Sequence, residues 1–438
     1  MQNSPDIIPD RPCPAKLFLE VTTRCNLHCK MCVKQSSGNG IETGDLTDAT
    51  FEALLPSVAG LEEVIISGVG EPLLHPRLDD FILDIKKTMP SSGSVGLQTN
   101  GTLLNQERIE GLLSVDLDTI CISVDSISPD LLRRMRAGAQ IEQLEAALGL
   151  LHHAKSRRFC SGPAVGIQFV LMQDNLYHLP EVLKWAGRLG VDFAIVSHLL
   201  PFEPAISPQA AYPASSDAAI DFFYKWRQVI SRSGLRIEDY PQASVKYYKC
   251  RTADEKRLIE LVDAMKSEAD LNGLTLDLTG LISLPTKGPE PVEDLFEEAM
   301  SVACSEGLDL ILPARRPAHA RRCSFIEEGA VFLAWDGSVS PCHFTWHRYA
   351  CYPQGRRKIV QPVSFGCVQS MSLIDIWNNP EFKSFRKGVL GYDYPYCGDC
   401  GLAPCDYIEG PEFEQDCHTN RVPCCDCPWP TGVLNCLQ

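Results

Sequence analysis

Three cysteines stand in the run Cys25-Asn26-Leu27-His28-Cys29-Lys30-Met31-Cys32, directly after the apolar stretch Leu17-Phe18-Leu19-Glu20-Val21. Cys thiolate is the standard protein ligand of iron–sulfur clusters, and three thiolates at CxxxCxxC spacing can hold three irons of a [4Fe–4S] cube. The fourth iron is then left without a protein ligand. An iron with an open position can bind and activate a substrate, whereas a fully ligated one only passes electrons. The bland alternative is a structural zinc knuckle. It fits poorly, because zinc sites favour two separated CxxC pairs.

The chain of 438 residues holds twenty cysteines, twelve of them between Cys323 and Cys436. Its first fourteen residues are polar and proline-rich, without the charged and apolar regions of an export signal. Cysteines in such a chain read as metal ligands in a reducing cytoplasm rather than as disulfides. Their crowding towards one end implies a second metal-binding module. The scattered Cys13, Cys121, Cys160, Cys250 and Cys304 read as ordinary small apolar residues. A formal charge of −16 argues against nucleic acid as a partner, and no apolar run approaches the length of a membrane span. The length allows two or three domains.

The elements that must position the first triplet are legible as alternation. Apolar, β-branched runs at 17–21, 64–67, 94–98, 119–124, 164–171 and 193–197 predict strands. Helical patterns at 48–58, 77–87, 105–113, 140–155 and 179–188 fall between them, with Thr47 and Asn105 as N-caps. Such alternation predicts parallel strands with outer helices, an α/β fold built as a partial (β/α)6 TIM-like barrel over residues 16–200. Chemistry in such barrels sits where strands exit. Each exit here is distinctive: the cysteine triplet, Ser67-Gly68-Val69-Gly70-Glu71-Pro72, Gln98-Thr99-Asn100-Gly101, Ser123-Val124-Asp125-Ser126, and Gln173-Asp174-Asn175. Residues 1–15 read as a tail and 201–321 as a bridge or cap, with a proline-rich loop at 201–213, helices at 218–231 and 253–266, and turns at 284–291. The acidic run 293–298 reads as a solvated helix face.

Residues 322–438 read as a small cysteine-rich α+β iron–sulfur domain. Two short strands at 330–335 and 338–342 flank Asp336-Gly337, a strong hairpin signal, and a helix is expected over 372–387. The candidate metal ligands are Cys323, Cys342, Cys397, Cys400, Cys405, Cys417, Cys424 and Cys427. A zinc ribbon is the alternative for the CxxC pairs. His343 and His347 flank Phe344-Thr345-Trp346 and read as packed or solvated, and His152-His153 as surface residues.

The chain resembles the radical SAM enzymes that carry a SPASM domain. Residues 16–200 carry the first resemblance, through the triplet and through Gly68-Val69-Gly70-Glu71-Pro72, a loosened GGEP motif. The second rests on Cys323, Gly337 and Cys342, which fit a C-x(9–15)-G-x4-C opening, followed by Cys397-Gly398-Asp399-Cys400. There the pattern departs: Cys405 comes one residue early, and no cysteine follows it at the x3 step. The resemblance implies that Cys25, Cys29 and Cys32 are catalytic, holding the cluster whose open iron is chelated by S-adenosylmethionine (SAM). It implies that Gly68, Gly70, Glu71, Pro72, Asn100, Ser123 and Asp125 bind that cofactor, with residues 196–198 beside the adenine. Two auxiliary [4Fe–4S] clusters in the SPASM domain are implied as well.

The implied reaction is reductive cleavage of SAM to a 5′-deoxyadenosyl radical, which abstracts hydrogen from a peptide or protein substrate. The implied partners are that substrate and an electron donor such as ferredoxin or flavodoxin, with no nucleic acid and no membrane. Glu20-Val21-Thr22-Thr23-Arg24-Cys25 and Cys32-Val33-Lys34-Gln35 most resemble a branch thought to mature a partner metalloenzyme. The alternatives are modification of a ribosomally made precursor peptide by crosslink, thioether or epimerisation, and a non-catalytic iron–sulfur electron carrier. The carrier would need neither the open-iron triplet nor the glycine loop.

Overall fold

The structure is a computed structural model that describes residues 11–157, 162–285, 291–402 and 405–437. Its centre is one nine-stranded sheet. In chain order the strands are β1 (Lys16–Leu19), β2 (Glu63–Ile66), β3 (Ser94–Thr99), β4 (Thr119–Ser123), β5 (Ala164–Leu171), β6 (Phe193–His198), β7 (Asp309–Ile311), β8 (Ala330–Leu333) and β9 (Val339–Ser340). The first six are the strands the alternation predicts, and they lie side by side in chain order, all parallel.

The sheet continues past both predicted edges. β7 pairs parallel to β6, from Phe193↔Asp309 to Ile195↔Ile311. At the other edge β8 pairs parallel to β1 over Lys16↔Ala330 to Leu19↔Leu333, and β9 turns back antiparallel to β8. The Asp336-Gly337 hairpin forms as expected, with Gly337 at φ +88°. It also extends the barrel wall, through the pairing of β8 with β1. Edge β1 of a six-stranded sheet would leave a row of unpaired backbone groups, and β8 satisfies them.

The helices α1 (Asp48–Val58), α2 (Leu78–Thr88), α3 (Gln106–Ser114), α4 (Pro129–Met135), α5 (Ile141–Arg157) and α6 (Leu179–Arg188) follow the strands. Thr47 and Asn105 cap α1 and α3 by accepting the Thr50 and Arg108 amides. Outward strand residues such as Leu19, Ile66, Leu97, Ile122 and Ile167 share one buried cluster with these helices. Inward residues Phe18, Ile65, Cys121 and Ile195 belong to a second, which reaches into the C-terminal region through Phe325, Tyr394 and Leu437. The lumen is therefore partly filled from the far end of the chain.

The bridge divides in two. Helices α7 (Asp217–Arg232), α8 (Tyr240–Val245), α9 (Ala253–Leu271) and α10 (Leu278–Ser283) share a small core of their own around Phe223, Leu258, Val262 and Leu281. Helix α11 (Pro291–Glu306) returns to pack on α6. Its acidic run is only partly a solvated face, since Leu295 and Phe296 within it are buried. The turns expected at 284–291 fall largely outside the described residues. Beyond the sheet come α12 (Ser324–Glu327), the hairpin β10 (Tyr349–Cys351) and β11 (Lys358–Val360), then α13 (Leu373–Asn378) and α14 (Pro380–Gly391). Among the described residues no helix is long and apolar enough to cross a membrane. Cys121 is buried as a small apolar residue, but Cys250 and Cys304 are exposed, contrary to expectation, and Cys160 lies outside the described residues.

Candidate active site at the strand exits

The loop after β1 is tied down before and after the triplet. Thr22 Oγ1 donates to Asp45 at 2.6 Å, Arg24 Nε to Asp45 at 2.9 Å, and Thr23 Oγ1 to the Glu42 carbonyl at 2.8 Å. Cys29 pairs antiparallel with Arg136, and the Lys30 amide donates to the Met135 carbonyl at 2.9 Å. Burial pushes the Cys29 thiol up to about 11, with Arg136 opposing and Cys32 and Cys25 among the neighbours that add to the shift. Burial likewise raises Cys32, which feels Cys25. Three thiols are thus gathered at one place, two of them held neutral by burial. A metal bound there would take the place of their protons. The Leu27 amide points at Cys25 Sγ from 3.5 Å and Asn100 Nδ2 from 3.9 Å, the contacts that stabilise a cluster thiolate.

The glycine loop after β2 lies against this cysteine loop. A Cβ on Gly70 would stand 2.6 Å from the Arg24 carbonyl oxygen and closer still to that of Thr22. On Gly68 it would stand 2.6 Å from Glu20 Cγ. Only glycine permits both approaches. Glu71 is buried, and its carboxylate accepts Thr99 Oγ1 at 2.7 Å and the Asn100 and Leu73 amides at 2.7 and 3.1 Å. Its own amide donates to the Arg24 carbonyl at 2.7 Å. Burial raises the Glu71 pKa while those donors oppose the shift. The residue joins three strand exits. Replacing Gly70 by Ala should displace the 22–24 backbone, lower stability by about 1–3 kcal/mol and reduce iron bound at the triplet. Denaturant unfolding together with iron analysis would check both effects.

The fourth exit differs from expectation. Ser123 faces the lumen and accepts Gln98 Nε2 at 3.1 Å. Asp125, expected to bind cofactor, is fully buried and committed elsewhere: it accepts Arg136 Nε at 2.5 Å and the Val170 amide at 2.8 Å. Burial works against the Arg136 charge, but Asp125 and Cys29 more than offset it. Asp125 therefore positions the arginine that backs Cys29. Sequence reasoning missed Arg136, because nothing local marks it apart from Arg133 and Arg134 at the end of α4.

A second pair it missed joins the two ends of the chain. Glu20, fully buried, accepts the Val69 amide at 3.0 Å and meets His347 Nε2 at 3.0 and 3.2 Å, 327 residues away. A lone acid at an inward position of an apolar strand was the available signal. His343 is packed, as expected, between Phe18, Phe325, Phe332 and Trp346. His152 and His153 are exposed, also as expected.

Around the lumen each strand changes character at one level. Phe18, Ile65, Gly96, Cys121, Gly166 and Ile195 are buried, and two residues nearer the exit stand Glu20, Ser67, Gln98, Ser123, Gln168 and Ser197. The result is a polar ring above an apolar floor. Among the described residues Ser67 Oγ and Gln98 Oε1 are buried without a hydrogen-bond partner.

The late cysteines fall into two groups. Burial raises Cys424, followed by Cys323, Cys342 and the adjacent Cys425; Cys427 is raised by burial and then by Cys424, Cys342 and Cys323. Cys323, Cys342, Cys424 and Cys427 are close neighbours. The second group gathers about a cavity of about 230 Å³ lined by Cys397, Cys400, Cys405 and Cys417. Cys425 joins it: its thiol meets that of Cys397, and Cys417 feels both Cys400 and Cys425. The Leu402 amide points at Cys400 Sγ from 3.4 Å. Cys425 was not among the expected ligands. One turn, closed by the Cys427 amide on the Cys424 carbonyl at 3.2 Å, carries all three of these cysteines. Between the groups Lys358 and Asp426 form an ion pair with side chains 3% and 4% exposed. Lys358→Ala should cost about 3–5 kcal/mol by leaving a buried carboxylate unpaired. Denaturant unfolding should show part of it recovered when Asp426→Asn is added. Among the described residues no three His, Cys, Asp or Glu side chains converge on one metal ion, and thiols that each hold a different iron need not.

The Radical SAM superfamily model matches residues 19–186, and the SPASM model, an iron-sulfur cluster-binding domain, matches residues 323–401. The chain is a radical SAM–SPASM protein. Its cofactors are SAM and [4Fe–4S] clusters, and the gathered thiols fit them. This radical SAM–SPASM chain is 27% identical over 430 residues to the tungsten-containing aldehyde ferredoxin oxidoreductase cofactor-modifying protein of Pyrococcus furiosus, covering 96% of each. It is 32% identical over 201 residues to the pre-heme d1 synthase of Dinoroseobacter shibae, covering 45% of this chain and 46% of that one. Among solved structures, Streptococcus suis SuiB bound to S-adenosylmethionine aligns with TM-score 0.52 and 13% identity, over 93% of this chain and 77% of that one. That likeness is one of fold.

Proposed function

We propose that this radical SAM–SPASM enzyme matures a partner metalloenzyme, acting on its polypeptide or on the cofactor it carries. The observation that carries this reading is the end-to-end match, 96% of both chains, to a relative named as a cofactor-modifying protein. Cys25, Cys29 and Cys32 hold the SAM-binding cluster. Cys323, Cys342, Cys424 and Cys427 hold one auxiliary cluster, and Cys397, Cys400, Cys425 and Cys417 or Cys405 the other. When bound, SAM and the first cluster supply one-electron reductive cleavage of SAM, and with it hydrogen abstraction from an unreactive C–H bond.

The chain's own residues do the positioning. Glu71 fixes the exits of β2 and β3 against the cysteine loop, and Arg136, held by Asp125, sets positive charge beside Cys29. The polar ring offers hydrogen bonds to a reactant above a floor that excludes water. A small ferredoxin- or flavodoxin-type donor in a reducing cytoplasm would deliver the electron. The test is anaerobic incubation of reconstituted protein with SAM, dithionite and the apo form of a metalloenzyme encoded beside it. Activation of that enzyme with formation of 5′-deoxyadenosine is the expected result. Activity only on a short precursor peptide would replace this reading with peptide modification.

A further inference from the structure

The segment from Pro428 to Leu437 has no part in the chemistry so far described, yet it enters the lumen. It leaves the first group of late thiols at Cys427 and passes Trp429, whose ring packs on Phe325 with centroids 5.1 Å apart. The Gly432 carbonyl then accepts the Ala314 amide at 2.7 Å, and the Val433 carbonyl accepts the His198 amide at 3.0 Å. β7 pairs with β6 only as far as Ile195, so the segment takes over where β7 departs. Asn435 closes the contact three ways. Its amide donates to Ser197 Oγ at 3.1 Å, its Nδ2 to the Val196 carbonyl at 2.9 Å, and its carbonyl accepts Gln168 Nε2 at 3.3 Å. Cys436 lies beside Cys121, and Leu437 fills the space over Gly96, where a Cβ would stand 3.3 Å from its Cδ2.

Two members of the polar ring, Gln168 and Ser197, are therefore occupied by this segment. Ser67 and Gln98, at the side of the ring next to the cysteine triplet, keep unpartnered atoms. We propose that the segment 428–437 is a metal-anchored plug: iron bound at Cys323, Cys342, Cys424 and Cys427 seats residues 433–437 on the inner wall and closes the β5–β6 side of the ring to reactants. The proposal rests on the ligand assignment made above for those four thiols. The physical reason is linkage. A metal bound to Cys427 removes chain entropy at the root of the plug, so the contacts made six to ten residues later cost less to form. The auxiliary site then shapes the reaction chamber as well as passing electrons.

Hydrogen exchange with mass spectrometry, before and after anaerobic loading with iron and sulfide, tests it on the full chain. Loading should slow exchange in peptides covering residues 193–200 and 432–437 by about tenfold or more, and should slow alkylation of Cys121. Asn435→Ala should bind iron as the parent does and lose that protection, with Cys121 becoming reactive. Unchanged protection in protein shown to be fully loaded would overturn the plug. Full iron content in Cys427→Ala would instead overturn the ligand assignment, so the two failures are distinguishable.

Discussion

Cys29→Ala should abolish formation of 5′-deoxyadenosine from SAM while leaving about eight of about twelve irons bound. On the proposed assignment the three loop thiols are the whole protein ligation of the cluster that meets SAM, so losing one leaves too few. Cys29 also pairs with the Arg136 strand, is partly buried, and has the Arg136 guanidinium opposing the burial that raises its thiol. Alanine at this place removes one sulfur and leaves the loop anchors of Thr22, Thr23 and Arg24 intact. Chromatographic assay of 5′-deoxyadenosine under reducing, anaerobic conditions gives the rate, and iron analysis on the same sample gives the cluster count. Cleavage at the parent rate would show that the catalytic cluster lies elsewhere.

Cys424→Ala and Cys425→Ala, substitutions at adjacent residues, should remove different clusters. Each single variant should lose about four irons and the double variant about eight, all three keeping reductive cleavage of SAM at the triplet. On the proposed assignment Cys424 serves with Cys323, Cys342 and Cys427, whereas Cys425 serves with Cys397, Cys400 and Cys417 or Cys405. On the proposed function, activation of the partner should be lost or uncoupled in both, since the auxiliary clusters would manage the substrate or its electron. Metal binding and folding are linked in such modules, so soluble yield and circular dichroism belong beside the iron count. If the double variant loses no more iron than either single one, the two cysteines serve the same cluster and the grouping is wrong.

The triplet, the strand–helix alternation, the caps at Thr47 and Asn105 and the Asp336-Gly337 turn were all legible because each is local. A cluster loop needs its thiols within eight residues, and a strand or helix declares its period within a dozen. Glu71 was singled out through the resemblance of its glycine loop, although its partners, Thr99 and Asn100, were not legible.

What the sequence by itself determined, then, is the chemistry: the ligand types, their spacing, and the barrel that must carry them. The tertiary structure alone decided which groups meet. It placed β8 against β1, set Asp125 on Arg136, joined Glu20 to His347, and brought Cys424 to Cys323 and Cys342 and Cys425 to Cys397. Each of these is a contact between segments whose local patterns are compatible with many partners. The choice among partners depends on burying apolar surface and pairing every buried charge across the whole fold at once, and that sum has no signature in any short stretch of chain.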